Sequence, residues 1–385
     1  MEYTIKTINE LCTKITDGSH FSPEHETDGL YPMYSVKDME YNNFSNADCK
    51  MIGQAMFDKL SKADCRPLKN DILIAKDGSY LKCAFKVNED LNACILSSIA
   101  ILRPNLKNID PDYFVYLMRT KSIKGAMANY VSGSALPRII LSDFKKMKLK
   151  MILSLPTQQK IASILSAYDK LIQNYKKQIE ALQTAASELY KEWFVRFRFP
   201  DWQNAKFENG IPEGWKIVLA SELGEFVRGK NITAEEMQEG MIPVISAGIE
   251  PSGFHNQSNV KGVSLTISNS GANAGYLQIN YSDIWAADCS YCNSAKHIYF
   301  YYELLNNMRV VLFNLQKGAA QPHVYAKDIN KMKILLPSTE LIEIANKRIK
   351  LMHEKIYSLQ QQITNLTQQR DLLLPRLMSG KLEVK

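Results

Sequence analysis

The sequence predicts an α+β chain of two repeated globular domains, joined by two long helices that form an antiparallel intramolecular coiled coil. The first observation behind this is a repeat. Pro137–Lys148 reads P-R-I-I-L-S-D-F-K-K-M-K and Pro322–Lys333 reads P-H-V-Y-A-K-D-I-N-K-M-K, so 322 − 137, 328 − 143 and 332 − 147 all equal 185. Gly133 and Ala135 meet Gly318 and Ala320 at the same shift, and Leu155-Pro156 and Leu336-Pro337 follow the two copies. The second observation lies upstream, where Gly29, Pro32 and Ser35 match Gly240, Pro243 and Ser246 at a shift of 211. One supersecondary plan occurs twice, with insertions between the matched segments. The third observation is a heptad helix after each copy.

The elements follow in chain order. Asp71–Ala75 is a short apolar run before the turn Lys76-Asp77-Gly78-Ser79, and so a strand. Cys94–Leu102 has the composition of one further buried strand. Asp110-Pro111 opens a short helix through Met118, because proline suits the first helical position.

From Thr157 the apolar positions are Ile161, Leu165, Tyr168, Ile172, Tyr175, Ile179, Leu182, Ala186, Leu189 and Trp193, in alternating steps of 4 and 3. This is the a/d seam of a coiled coil. The segment from Phe199-Pro200 to Gly214-Trp215 is a linker and domain start. In the second copy Gly262–Ile267 is strand-like and runs into Ser268–Asn273, and the helix corresponding to Asp110–Met118 is expected from Tyr302 onward.

The second seam is Ile342, Ala345, Ile349, Met352, Ile356, Leu359, Ile363, Leu366, Arg370, Leu373 and Leu377, with Pro375 expected to end the regular helix near Leu374. Arg370 is the polar exception, of the kind that fixes register. Each helix has about 35 residues, so roughly 50 Å at 1.5 Å per residue. Connectivity makes the pair antiparallel. The expected division is 1–153 and 199–336 for the globular domains, and 154–198 and 337–385 for the helices.

The net charge of +7 and the isoelectric point near 8.8 permit a polyanionic partner without demanding one. No apolar run approaches the ~18 residues of a membrane helix, so no membrane partner is expected. Met1–Lys6 has no basic-then-apolar leader pattern, and the seven cysteines are an odd, scattered set, read as reduced thiols in the cytoplasm. Cys289-Ser290-Tyr291-Cys292, with His297 nearby, lacks the second pair of a zinc site and is read as buried small residues.

Catalytic motifs are wanting. There is no Gly-rich cofactor turn with an N/D-P-P-Y/F motif, as an adenosylmethionine-dependent DNA methyltransferase needs, and no Walker A sequence. A nuclease pattern forced onto Pro111-Asp112 and Asp143-Phe144-Lys145 fails in the repeat, where Asn330 replaces Lys145.

Gly133–Lys170, Ser187–Pro200, Ile211–Lys216 and Leu373–Lys381 together resemble type I restriction-modification specificity subunits across essentially the whole chain. The first domain departs by opening with Tyr3-Thr4-Ile5 instead of Pro-Glu-Gly-Trp. The second helix departs with Ser338-Thr339-Glu340-Leu341 opposite Thr157-Gln158-Gln159-Lys160.

The resemblance implies a non-enzymatic subunit. Its two target-recognition domains read the halves of a split double-stranded DNA sequence, and its helices set the gap. Two methyltransferase subunits carrying S-adenosylmethionine dock on it, and restriction/translocase subunits join for cleavage that uses ATP and Mg. A related system whose partner fuses methyltransferase and nuclease fits the same sequence. A catalytic DNA enzyme and a protein scaffold stand as rivals.

Base edges are read by Arg, Lys, Asn, Gln and Ser on loops. The expected DNA contacts are Lys37, Lys76, Ser79, Tyr80 and Arg138 in the first domain. In the second they are Arg228, Lys230, Ser246, Asn269, Asn273, Lys317 and His323. Each alone also fits a solvated turn residue.

Overall fold

A computed structural model describes residues 2–78, 83–131, 138–318 and 321–384. Two compact units divide the chain, Met1–Gln173 with Thr364–Lys385, and Asn174–Ile363. The long helices, Leu155–Tyr190 and Thr339–Met378, each contribute one part to each unit.

The first unit holds a four-stranded sheet in the order Cys12–Asp17, Ile99–Pro104, Ile72–Ala75, Ala84–Lys86. A three-stranded sheet follows the order Lys50–Ile52, Tyr31–Tyr34, Cys94–Ile95, the last pair parallel. Tyr3–Thr7 pairs with Lys148–Ile152. The shorter helices are Ile8–Leu11, Gln54–Lys62, Pro111–Arg119, Lys121–Ala128 and Leu141–Lys146.

The second unit has the same plan. Its four-stranded sheet runs Val227–Arg228, Cys289–Cys292, Ser264–Ser268, Leu277–Asn280. The three-stranded sheet is Gly253–His255, Ile242–Ile245, Trp285–Ala286, again with the last pair parallel. Lys216–Leu219 pairs with Lys333–Leu336. Helices Ile298–Asn307, Arg309–Asn314 and Ala326–Asn330 correspond to Pro111–Arg119, Lys121–Ala128 and Leu141–Lys146 of the first unit.

Register confirms the sequence repeat at the level of single residues. Met33 and Tyr34 pair with Cys94 and Ile95, while Val244 and Ile245, each 211 residues further on, pair with Trp285 and Ala286. The opening Tyr3–Thr7 strand, despite its unrelated sequence, occupies the place of Lys216–Leu219, since both pair with the strand after the repeated K-M-K element. Backbone pairing needs extended, half-buried residues and no particular side chains.

Each unit encloses its own core. In the first, Ile74, Leu102, Phe114 and Phe144 pack with Ile161 and Leu165 of one long helix and Leu377 of the other. In the second, Ile267, Phe300, Leu304 and Ile329 pack with Ala186 and Tyr190 of one and Ala345 and Ile349 of the other. All a/d positions named above are buried or half-buried.

Four expectations are corrected. Cys94–Leu102 is two strands in two sheets, Cys94–Ile95 and Ile99–Pro104. The intervening turn is held by Ile99 N–H on Leu96 O at 3.1 Å and Val36 N–H on Ser98 Oγ at 3.1 Å. The helix expected from Tyr302 starts at Ile298.

Pro375 does not end its helix, which continues to Met378. Proline removes only its own N–H, the buried Leu377 and Met378 anchor the last turn, and Gly380 at φ +69° ends it. Finally, the two Leu-Pro pairs are not equivalent. Ser154 O accepts from Gln158 N and Ser338 O from Ile342 N, so Pro156 lies inside the first turn of its helix and Pro337 lies before the cap.

Candidate nucleic-acid interface

In the first unit the buried strand Ile72–Ala75 ends at Lys76. Lys76 N–H donates to Ser98 O at 3.0 Å, and its carbonyl accepts from Ile139 N at 2.9 Å. In the second unit Asn269 stands in that place, with N–H on Asp288 O at 3.3 Å and its carbonyl accepting from Val324 N at 2.9 Å. The repeated element therefore clamps each central strand end, and Arg138 and His323 emerge beside it through bridges to Asp77 and Ser270.

The side chains on this shared frame differ. Lys76 is only 3% exposed and its Nζ lies 3.2 Å from Asp17 Oδ2, while His20 Nε2 lies 3.3 Å from the other Asp17 oxygen. Arg138 is exposed and places a fork on Asp77, Nε to Oδ1 at 2.9 Å and Nη2 to Oδ2 at 3.2 Å. That hydrogen bonding raises the guanidinium pKa further.

In the second unit Asn269, 7% exposed, accepts from Ser290 Oγ at 2.7 Å, and Ser270 Oγ donates to Asp288. His323 exchanges two backbone hydrogen bonds with Lys317, at 2.8 and 2.9 Å. Its ring stacks on Tyr325 at 6.1 Å, and Lys317 Nζ pairs with Asp328 at 2.7 Å.

The ladders also equate Asp17 with Arg228. Asp17 pairs with Ala100 and Ala100 with Ile74; Arg228 pairs with Ser290 and Ser290 with Ile267. The glycines that follow are required by contact. A Cβ on Gly18 would lie 2.1 Å from Ile95 O, and one on Gly229 would lie 2.4 Å from Ala287 O. The equivalent position is thus a carboxylate holding a buried lysine in one unit and an exposed arginine in the other.

Lys230 is exposed, donates its N–H to Ala286 O and accepts from Trp285 Nε1. Ser246 and Asn273 are half-buried at turns. Lys37 is exposed and its Nζ reaches Asp48 O at 3.2 Å. Ser79 and Tyr80 lie outside the described residues.

Thus Lys76 and Arg138 come together in one unit, with Asn269, Lys317 and His323 together in the other. Sequence reading missed Asp17, Asp77 and Tyr325. The available signal for the first was the Asp17-Gly18-Ser19 and Arg228-Gly229-Lys230 match at the 211 shift.

Cys289 and Cys292 do not converge. Three positions apart on a strand, they point to opposite faces and join different apolar clusters. Among the described residues no group of three or more His, Cys, Asp or Glu side chains is arranged to hold a metal ion, and no helix is long and apolar enough to cross a membrane.

A repeated α+β frame carrying unlike turn side chains on its two copies defines the class, a duplicated two-domain scaffold. The chain belongs to the type I restriction-modification specificity family, matching the type I restriction modification DNA specificity domain over residues 1–184 and 212–372. It is 28% identical over 303 residues to the type I restriction enzyme MjaIX specificity subunit of Methanocaldococcus jannaschii, covering 71% of this chain and 69% of that one. The MjaVIII specificity subunit of the same organism is 24% identical over 391 residues, covering 94% and 88%. The crystal structure of the S subunit of a type I restriction-modification system from M. genitalium has the same fold, with a TM-score of 0.64 at 19% identity over 98% of this chain and 96% of that one.

Proposed function

We propose that this specificity subunit reads a bipartite double-stranded DNA target, one half with residues 1–153 and the other with residues 199–336. The observation that carries the proposal is the shared strand ladder with different polar side chains at its ends, Asp17, Lys76 and Arg138 against Arg228, Asn269 and His323. A common frame delivers both reading edges in one geometry, and the side chains set the bases.

The helices of 154–198 and 337–385 pair as an antiparallel coiled coil and set the spacer. Two heads on one face of B-DNA favour half-sites about 10 base pairs apart or a multiple of it. The chain contributes recognition and no chemistry. Two methyltransferase subunits bring S-adenosylmethionine, and restriction/translocase subunits bring ATP- and Mg-dependent cleavage. Lys76 and Asn269 support the frame, while Arg138, Arg228, Lys230, Lys317 and His323 face the bases or phosphates, with Lys37, Ser246 and Asn273 on flanking turns; Ser79 and Tyr80, outside the described residues, are further proposed contacts.

The test is co-expression with the adjacent methyltransferase chain and single-molecule mapping of methylated bases. A split motif with a fixed gap is expected, and exchanging residues 199–336 for those of a relative should change one half only. A continuous motif would overturn the two-headed reading.

A further inference from the structure

The first unit carries a cleft of about 1350 Å³ between its Lys121–Ala128 helix, its Lys148–Ile152 strand and the end of the second long helix. Eight cations line it: Arg119 and Arg370, both paired with Asp169, and Lys121, Lys124, Lys148, Lys150, Arg376 and Lys381. The last six are exposed and none of them forms an ion pair among the described residues, while Lys150 Nζ stands 5.0 Å over the Tyr3 ring. The one lining carboxylate, Asp371, is occupied by Arg370 at 2.8 Å. The walls between the cations are mostly apolar, with Thr120, Ser122 and Ser379 among them. Leu117 and Ile123 are buried beneath them, and Leu372 projects at 66% exposure.

In the second unit two smaller clefts lie beside the corresponding elements. One, of about 410 Å³, is lined by Lys317, Lys331 and Lys333 with Asp328, which Lys317 pairs at 2.7 Å. The other, of about 310 Å³, is lined by Glu188 and Glu303 against Lys191 and Arg309, with Glu188 paired to Lys191. The two units share a frame, so the larger volume of the first cleft comes from its own side chains.

We infer that this cleft is a docking site for an acidic amphipathic segment of a partner polypeptide. Unpaired cations around an apolar floor complement carboxylates on one face of a segment and aliphatic side chains on the other. A DNA duplex offers phosphates on its outer faces and keeps most of its apolar surface stacked inside or in its grooves, away from a side chain such as Leu372. The site stands on the geometry of the first unit and does not depend on how the chain reads DNA.

The test uses the full chain and three fluorescent probes: a Glu/Leu amphipathic peptide, a leucine-free Glu peptide of equal charge, and a short DNA duplex. The Glu/Leu peptide should bind best and weaken steeply with salt, because exposed charges are screened. Replacing Lys121, Lys124, Lys148 and Lys150 by Gln should weaken it more than tenfold. The same change at Lys331, Lys333, Lys347 and Lys355 should leave it unaltered. Leu372→Ser should lower affinity for the Glu/Leu peptide severalfold and not for the Glu peptide.

These surface changes should preserve the circular dichroism spectrum and melting temperature of the parent chain. Equal binding of both peptides, equal loss in both lysine variants, or displacement of the peptide by duplex DNA in a manner dependent on the four cleft lysines would overturn the proposal. The last result would assign the cleft to nucleic acid.

Discussion

Arg370 Nη1 donates to Asp169 Oδ1 at 2.6 Å, and both side chains are about nine-tenths buried within the first unit. The other Asp169 oxygen accepts from Tyr116 Oη at 2.7 Å and lies 3.3 Å from Arg119 Nη1, while Tyr41 lies under both guanidinium groups. Burial alone would lower the Arg370 pKa, and the hydrogen bonds to Asp169 and Asp371 leave it raised instead. At the matching positions 184 residues apart, His353 takes the place of Asp169 and Ala186 that of Arg370. His353 Nε2 meets Glu303 at 3.1 Å and its Nδ1 meets Tyr281 Oη at 2.8 Å. Each unit thus buries its own polar network at the same point of its helices.

Asp169→Ala removes the carboxylate shared by two buried guanidinium groups and should destabilise the first unit by about 3–5 kcal/mol. Arg370→Ala imitates Ala186 and leaves Asp169 with Arg119 and Tyr116, so it should cost about 1–3 kcal/mol. Urea unfolding of both variants and of the double variant measures this. A smaller loss for Asp169→Ala than for Arg370→Ala would contradict the ranking.

Lys76→Ala removes the partner of Asp17 from a nearly sealed site, and about 3 kcal/mol should be lost. The pair replacement Asp17→Asn with Lys76→Met should recover most of it, because neither change then leaves a lone charge. Recovery in a double-mutant cycle is the readout, and additive losses would show that the pair does not interact.

Gly18→Ala and Gly78→Ala separate contact from conformation. The first drives a Cβ to 2.1 Å from Ile95 O, whereas Gly78, at φ +67°, has nothing within 4 Å. Overlap with backbone should cost about 3 kcal/mol or more, and the left-handed alanine about 1–2 kcal/mol. Melting temperatures of the two variants rank them.

Alkaline pH should unfold the protein through its buried thiols. Burial, with a contribution from Asp71, pushes Cys12 up to about 12, and burial pushes Cys289 up to about 12 from an ordinary 9.0. The folded chain therefore keeps protons that the unfolded chain has lost. The stabilisation is full below pH 9 and declines as pH rises from about 9 to about 12. Urea midpoints across this range should fall less steeply in Cys12→Ala and Cys289→Ala, and an unchanged slope in both would refute the assignment.

Arg228→Ala should relax one base position of the half-site read by 199–336, with binding weaker by about 1–3 kcal/mol there and the other half unchanged. Methylation mapping scores both halves in one experiment. Loss spread evenly over all sequences would make Arg228 a phosphate contact.

The repeat at 185 and 211 was legible because backbone demands recur in both copies. Gly29 and Gly240 are closely approached by neighbouring backbone, and Ile139 and Val324 clamp the same strand end. The heptads were legible because one apolar stripe every 3.5 residues has few solutions. The two-strand split of Cys94–Leu102 was hidden because an apolar run has the same composition whether it fills one sheet or two. The start of Ile298–Asn307 was hidden because no Asp-Pro marks it.

By itself the sequence determined the duplication, the α+β class, the two long helices and the kinship with specificity subunits, since periodicity and turn chemistry are local properties of the chain. Tertiary structure alone decided which polar residues are available to a ligand. Lys76 and Asn269 stand in turn sequences with nothing local to mark them as buried, yet they are buried because Asp17 and Ser290 arrive from strands distant in the chain. The same holds for the six unpaired cations, which surround one cleft only because the fold brings a helix, a strand and the chain's last helical turns together.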